Sequence, residues 1–243
     1  MPHQISPPLA PSMIIPVTSP SGIPPTQDEV SSCLQSIFDA QTSQASLDAA
    51  YALTNLLLNS VGFRGLKAYG VLEEIKKSAA DKKSGQRRES AMIILGALFE
   101  KYPEKQPISE VIFLQDAQLV PVALDALADK GSVVKESAQY ALDALFANLK
   151  AEALVVGLLP VLMEYLQKKT GKWQGTVGAF DLIGKMADKA KVGMGSKEEE
   201  KTKDFLREAM GKRLEGLIPV VEGGMHDLKS EVRSHCCCPR PKR

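Results

Sequence analysis

The residues best suited to chemistry in this sequence are the cations gathered between positions 76 and 88. Six lysine or arginine residues fall in that stretch, and Asp81 is the only acid among them. Clustered ammonium and guanidinium groups bind phosphate, so the pattern favours contact with a nucleic-acid backbone. A solvated turn is the alternative, because most runs of charge are no more than that. The net charge of the chain is only +1, so any such contact must depend on local patches.

Further cations occur later in the chain, near its only tryptophan. They are found in three groups, namely Lys130 and Lys135; Lys168, Lys169 and Lys172; and Lys229 and Arg233. Trp173 directly follows Lys172, and an aromatic ring beside cations can stack on a nucleic-acid base. The alternative is a packing residue beneath the turn, because tryptophan is buried on average. The candidates for RNA contact are Lys82, Lys83, Arg87, Arg88, Lys168, Lys169, Lys172 and Trp173.

Signatures of enzymatic chemistry do not occur in the sequence. It contains no G-x-x-x-x-G-K-S/T phosphate loop, no G-x-S-x-G, no H-E-x-x-H and no G-x-G-x-x-G. The three histidines cannot be assembled into a catalytic site. The four cysteines are Cys33, expected to be a buried structural thiol, and an adjacent triplet at 236–238 without zinc-site spacing. We therefore predict a binding scaffold that is not an enzyme and carries no catalytic residue, cofactor or metal.

The elements that must position the cations are pairs of amphipathic helices. Residues 119–145 form two apolar stripes at helical spacing, separated by a break at Asp129–Ser132. The opening of this unit recurs at Leu158-Leu159-Pro160 and at Leu217-Ile218-Pro219. Its second half also has a counterpart, because residues 88–99 match residues 135–146 at seven of twelve positions, 47 residues apart.

Periods of about 40–47 residues with two helices each are typical of HEAT or armadillo solenoids. Proline in the first helix and aspartate in the turn favour HEAT. The predicted fold is therefore an all-α HEAT-repeat solenoid of about four to five helix pairs. Within-repeat turns of a solenoid share one edge, so the cations of four successive turns should stack. We call this predicted surface the basic rim, and it comprises the cations at 82–88, 130–135, 168–172 and 229–233.

Three boundaries divide the chain. Residues 1–27 hold eight of the fifteen prolines and no charge, which predicts a disordered tail, with a Pro-rich docking ligand as the alternative. The solenoid is expected over 28–233, with a charged insertion at 191–213. Residues 234–243 interrupt the last repeat, which indicates an aberrant or disordered tail of a truncated or mis-spliced product. The less favoured interpretations of this tail are metal binding, palmitoylation and a basic import signal.

Local signals give the starts of several helices and the compartment. Asp28 and Ser46 are the predicted first residues or caps of the first two helices, and a single helix is expected from Leu66 to Ile75. The longest apolar run, 153–163, is shorter than the ~18 residues of a membrane span. No lysine or arginine precedes Arg64, so the basic start of a signal peptide is missing. We expect a cytoplasmic protein that does not bind membranes.

Three segments carry a family resemblance. They are Lys172-Trp173-Gln174, Leu217-Ile218-Pro219-Val220-Val221 and the pattern D-x-K-x-E-V at 227–232. With them, residues 28–233 resemble the N-terminal HEAT domain of fungal translation elongation factor 3 and its ABC-F relatives. In that family the HEAT repeats are followed by a four-helix region, two ATP-binding cassettes and a chromodomain-like insertion. Its members include a NU+ prion-formation protein and an mRNA-export ATPase, and the length of the 191–213 insertion favours these two.

The resemblance implies a ribosome-binding scaffold whose HEAT repeats contact RNA and proteins of the small subunit. In the parent family, ATP hydrolysis drives tRNA release and elongation or assists termination. This chain has neither cassette, so ATP is a cofactor of the family and not of these residues. The alternatives are a HEAT adaptor that holds a protein partner on its concave face, and a truncated product without function.

Overall fold

The computed structural model describes residues 24–60, 63–101, 118–149, 153–168 and 172–191, together with single positions at 204, 208, 211, 216, 219 and 222. Within this part of the chain, every regular element is helical. The α-helices are α1 Gln27–Phe38, α2 Ser43–Ser60, α3 Phe63–Ala68, α4 Val71–Ala79, α5 Gly85–Lys101, α6 Leu119–Ala126, α7 Ser132–Asn148, α8 Leu159–Gln167 and α9 Trp173–Lys191. A π-helical segment, Ala153–Leu158, leads into α8. The predicted all-α fold is confirmed.

The helices form two layers of neighbouring elements. The pairs are α1 with α2, α4 with α5, α6 with α7 and α8 with α9. The first helices α4, α6 and α8 contact one another in order, and the second helices α2, α5 and α7 do the same. This stacking of successive pairs is the arrangement that the repeats predicted. The expected disordered tail lies almost wholly outside the described residues, and so do the 191–213 insertion, apart from Lys191 and three single positions, and the 234–243 tail.

The first helix starts at a capping box that differs from the predicted cap. The Thr26 hydroxyl accepts a hydrogen bond from the Glu29 backbone N–H at 3.2 Å, and the Thr26 N–H donates to the Glu29 carboxylate at 2.7 Å. Asp28 was expected to cap, but it lies in the first turn, where a carboxylate favours the helix dipole. The second helix likewise begins at Ser43, three residues before the expected Ser46.

The helix expected from Leu66 to Ile75 is divided in two. Gly70 adopts φ +69°, which ends α3 and turns the chain into α4. Glycine reaches this left-handed conformation without a Cβ clash, so it can close a helix and let the next begin in a new direction. Leu66, Leu72 and Ile75 are nevertheless buried on the two sides of the break, and Tyr69 is half-buried.

The centre of the core is α5, whose residues 90–99 are all buried. Two tyrosines from the flanking helices close over it. The ring of Tyr140 on α7 packs directly on the backbone of α5 at Gly96, where no Cβ would fit. Its hydroxyl lies 3.1 Å from that of Tyr51 on α2, and Tyr51 donates to Glu100. We call these residues the tyrosine bridge; it ties three successive second helices together.

Candidate functional site

The within-repeat turns lie side by side along one edge. The Gln86 side chain at the start of α5 donates to the Ala40 carbonyl of the first turn at 2.5 Å. Arg88, two residues further on, reaches Asp129 in the third turn. The fourth turn, which Lys172 ends, comes next, because α9 packs on α6. These turns lie along one edge and include three of the four cationic turns of the basic rim; the remaining one, with Lys229 and Arg233, lies outside the described residues.

Arg88 is held by protein partners on both sides. Its Nε and Nη2 donate to the two carboxylate oxygens of Asp129 at 2.6 and 3.0 Å, and its Nη1 donates to the Asp81 carbonyl at 2.8 Å. The two side chains are only 20% and 12% exposed. The hydrogen bonds from Arg88 lower the pKa of Asp129, although burial acts in the opposite direction. A bidentate pair of this kind fixes two turns relative to each other and leaves little of Arg88 for a ligand.

Arg87 is also engaged within the protein. Its guanidinium lies over the ring of Phe38 at 5.2 Å from the centroid, and a nitrogen is 3.8 Å from a carboxylate oxygen of Glu74. Lys76 and Lys77 on α4 form ion pairs with Glu73 and Glu74, at 3.1 and 3.3 Å. Part of the cationic run at 76–88 is therefore neutralised by carboxylates on its own repeat.

Lys82 and Lys83 differ from these neighbours because both side chains are exposed and no described carboxylate lies within ion-pair distance of them. Their turn is held in place by Asp81, whose carboxylate accepts the N–H groups of Lys83 and Ser84 at 2.7 and 3.2 Å. Those backbone hydrogen bonds lower the pKa of Asp81. A fixed loop with free ammonium groups is well suited to contact phosphate.

The fourth turn presents further candidates. Lys168 is exposed and pairs with Glu164 one helical turn earlier, at 2.6 Å between two solvated side chains. Such a pair contributes about 0.5 kcal/mol or less, so it can yield to a stronger ligand. Lys172 is exposed, Trp173 is half-buried as the first residue of α9, and Lys169 lies outside the described residues. Of the eight candidates, the structure brings Lys82, Lys83, Lys172 and Trp173 to one edge with free polar or aromatic groups.

Two further rim residues were not among those candidates. Lys130 and Lys135 are exposed, and among the described residues neither has a carboxylate within ion-pair distance. The sequence contains a signal for Lys135, because it aligns with Arg88 at the offset of 47 residues. The sequence does not indicate that Arg88 forms an ion pair with a carboxylate whereas Lys135 forms none with a described residue.

In the layer of second helices, the cations that the structure describes are paired with carboxylates or aromatic rings. Lys185 on α9 lies between Asp143 and Asp181, at 2.7 and 3.0 Å. Lys101 and Lys189 lie over the rings of Tyr51 and Phe146. These contacts connect neighbouring second helices, so the charges serve the solenoid and do not form a patch of one sign.

The described residues contain neither a cluster suited to a metal ion nor a helix suited to span a membrane. No group of three or more His, Cys, Asp or Glu side chains among the described residues could hold a metal ion. No described helix combines the length and the apolar character that crossing a bilayer requires. Cys33 is half-buried against the core, less deeply than expected, and burial raises the pKa of its thiol.

Comparison with known proteins identifies a repeat family and several relatives. Residues 46–197 match the family described as EF3 N-terminal HEAT repeat. The mRNA export factor elf1 of Schizosaccharomyces pombe is 32% identical over 206 residues, which cover 85% of this chain and 17% of that protein. The NU+ prion formation protein 1 of Saccharomyces cerevisiae is 31% identical over 133 residues, or 54% of this chain and 10% of that protein.

A more distant relative is the stalled ribosome sensor GCN1 of Mus musculus, 26% identical over 161 residues, which cover 63% of this chain and 5% of that protein. The chain thus spans less than a fifth of the length of each of these relatives. The family match covers more than half of the chain and coincides with the stacked helix pairs from α2 to α9. The chain belongs to the EF3 N-terminal HEAT-repeat family.

Proposed function

We propose that this chain is a ribosome-binding scaffold that contacts ribosomal RNA and proteins through the basic rim. The observation that carries the proposal is the division of labour among the cations. Arg87 and Arg88 hold the turns together, while Lys82, Lys83 and Lys172 remain exposed beside them. The family name refers to elongation factor 3, and a relative is named a stalled ribosome sensor, which supports the ribosome as the partner.

The physical basis is electrostatic. Each lysine that contacts a phosphate releases condensed counterions, so binding depends steeply on salt. Because Arg88 and Asp129 fix the edge before binding, the lysines lose little backbone freedom when they meet the ligand. The compartment that suits this partner is the cytoplasm. In a longer protein of the elongation factor 3 type, ATP-binding cassettes would couple such contacts to ATP hydrolysis.

The test is co-sedimentation of the full chain with purified ribosomes over a salt titration. The wild type should bind at 50 mM salt and release between 50 and 200 mM. The variant K82A/K83A should bind more weakly and with a shallower salt dependence. The matched control is K76A/K77A, which removes the same charge from lysines that form ion pairs with Glu73 and Glu74.

Two results would refute the proposal. One is no sedimentation of a folded, monomeric wild type even at low salt; the other is equal binding by the wild type and by a variant with alanine at Lys82, Lys83 and Lys172 together. Either would favour the second candidate function, a HEAT adaptor for a protein partner. That alternative is supported by the helix-pair architecture, since stacked repeats commonly bind proteins along an extended surface.

A further inference from the structure

The bridge between Arg88 and Asp129 is part of a pattern that continues along the edge and then stops. Each of the first three turns contains an aspartate: Asp39, Asp81 and Asp129. Arg88 projects from the first turn of α5 onto the aspartate of the following turn. By the offset of 47 residues, Lys135 on α7 occupies the place of Arg88 one repeat later. Its partner should be an acid in the fourth turn.

The fourth turn has no acid. Between Glu164 and Asp181 the sequence contains neither aspartate nor glutamate, and instead it carries three lysines, Lys168, Lys169 and Lys172. Accordingly, Lys135 is exposed and pairs with no described carboxylate. An ion pair therefore joins the second and third turns, and no equivalent ion pair of described residues joins the third and fourth. We call the place where this pair is missing the opening between the third and fourth turns.

The cations around this opening are not compensated by Asp129. That carboxylate accepts two hydrogen bonds from Arg88 and one from the Gly131 N–H at 2.8 Å, so its charge is already matched. Lys172 directly precedes α9, which packs on α6, and Lys130 adjoins Asp129 in sequence. Lys130, Lys135 and Lys172 thus remain as free positive charges around the third and fourth turns.

Apolar side chains accompany these charges. Trp173 follows Lys172 and is half-buried, so part of its ring faces solvent. Val133, in the first turn of α7, is 45% exposed, and it is one of two large apolar side chains in the described residues that stand out in this way. Cations beside exposed apolar and aromatic surface suit a ligand that has phosphates and flat bases.

We propose that the opening between the third and fourth turns is a binding site for single-stranded RNA. Lys130, Lys135 and Lys172 contact the phosphates, and Trp173 stacks on an unpaired base. The inference rests on the proposed ribosome-binding function and specifies its contact surface. It places the principal RNA contact at the third and fourth turns instead of the second, and it adds Lys130 and Lys135 to the contact residues. A single strand is favoured over a duplex because only unstacked bases can reach an aromatic ring.

The experiment uses the intrinsic fluorescence of Trp173, the only tryptophan of the chain. The full chain is titrated with a short oligouridylate at several salt concentrations, and binding is followed independently by anisotropy of a label on the RNA. The oligouridylate should quench the tryptophan and bind more tightly than an RNA duplex with the same number of phosphates. Polyglutamate of equal charge serves as the acidic-protein control.

The decisive variant is K130A/K135A, with K82A/K83A as the control of equal charge. Each phosphate contact with a single strand accounts for about a 2.6-fold loss of affinity between 50 and 200 mM salt. Removing two contacts should therefore reduce that loss by about 7-fold in K130A/K135A, and by much less in K82A/K83A. The thermal midpoint should stay unchanged, because both lysines are exposed and pair with no described carboxylate.

Several outcomes would overturn the inference alone. One is ribosome sedimentation that is intact in K130A/K135A and weakened in K82A/K83A. Another is RNA binding without any change in tryptophan fluorescence. A third is an affinity for the RNA duplex or for polyglutamate equal to that for oligouridylate. If the wild type bound neither ribosomes nor RNA, the proposed function would fail together with it. Quenching by oligouridylate that K130A/K135A abolishes would support both.

Discussion

The close approach of α5 and α7 at Gly96 leads to a sharp prediction for the variant Gly96→Ala. A Cβ at this position would lie 2.6 Å from Cδ1 of Tyr140 and closer still to Cε1. The ring cannot move freely, because it is half-buried between the second helices and its hydroxyl hydrogen-bonds with that of Tyr51. Either the helices separate or the tyrosine bridge breaks.

The magnitude follows from three opposing contributions. Overpacking in a well-filled core costs about 1–3 kcal/mol. Losing the hydrogen bond of Tyr140 costs about 1 kcal/mol. Alanine in place of glycine in a helix interior returns about 1 kcal/mol. Gly96→Ala should therefore lower the free energy of unfolding by about 1–3 kcal/mol, a large fraction of the stability of an ordinary domain.

The assay is urea unfolding followed by far-ultraviolet circular dichroism and by Trp173 fluorescence. The matched control is Gly85→Ala at the start of the same helix, where the added Cβ meets nothing nearer than 3.8 Å. That substitution should leave the midpoint unchanged or raise it slightly.

A second background tests the cause. In Tyr140→Ala the clash is absent, so adding Gly96→Ala should stabilise the protein by about 1 kcal/mol through helix propensity. If Gly96→Ala destabilised both backgrounds equally, the tyrosine bridge would not be the reason for the glycine. The close packing of α5 and α7 would then need another explanation.

Three other predictions concern polar groups. Asp129→Asn should lower the free energy of unfolding by about 2 kcal/mol at pH 7. The fold lowers the pKa of Asp129, so the wild type should lose this advantage in stability as the pH falls below about 4. Urea unfolding measures this loss, and the variant should not show it. Burial raises the pKa values of Tyr51, Tyr140 and Tyr165, so three of the five tyrosines should resist ionisation at pH 11 by ultraviolet absorbance. These three tyrosines contribute fully to stability below about pH 10, the pKa of tyrosine in the unfolded chain, and their contribution should decline above it. Ionisation of all five tyrosines at pH 10 in the folded chain would contradict this. Thr26→Ala should cost about 1 kcal/mol by removing the cap of α1, seen as faster amide exchange at Glu29, and unchanged exchange there would argue against the capping box.

The repeats were predictable because they depend on local patterns. The recurrence of the Leu-Pro openings and of residues 88–99 at 135–146 predicted the paired helices. Helix periodicity and turn residues are properties of neighbours in sequence. Where such signals compete, prediction was less accurate. Thr26 and Asp28 near the start of α1 can each cap a helix, and the reciprocal hydrogen bonds of Thr26 and Glu29 decided for Thr26.

The basic rim shows the limit of the same reasoning. The sequence contained the cations and, through the repeat offset, the edge they share. It could not assign their roles, because Arg88 and Lys135 occupy equivalent places and carry the same charge. Their difference arises 41 residues beyond Arg88, where Asp129 accepts its guanidinium, and in the fourth turn, where no acid awaits Lys135.

The sequence by itself determined the all-α repeat architecture, the approximate pairs and the edge on which the cations lie, since each depends on spacing along the chain. The tertiary structure decided the break at Gly70, the tyrosine bridge over α5 and the separation of structural from free cations. The last two features depend on contacts between residues 40 to 90 positions apart, such as Arg88 with Asp129 and Tyr51 with Tyr140. Whether a side chain is bound or free is a property of its three-dimensional neighbours, and spacing in the chain does not specify it.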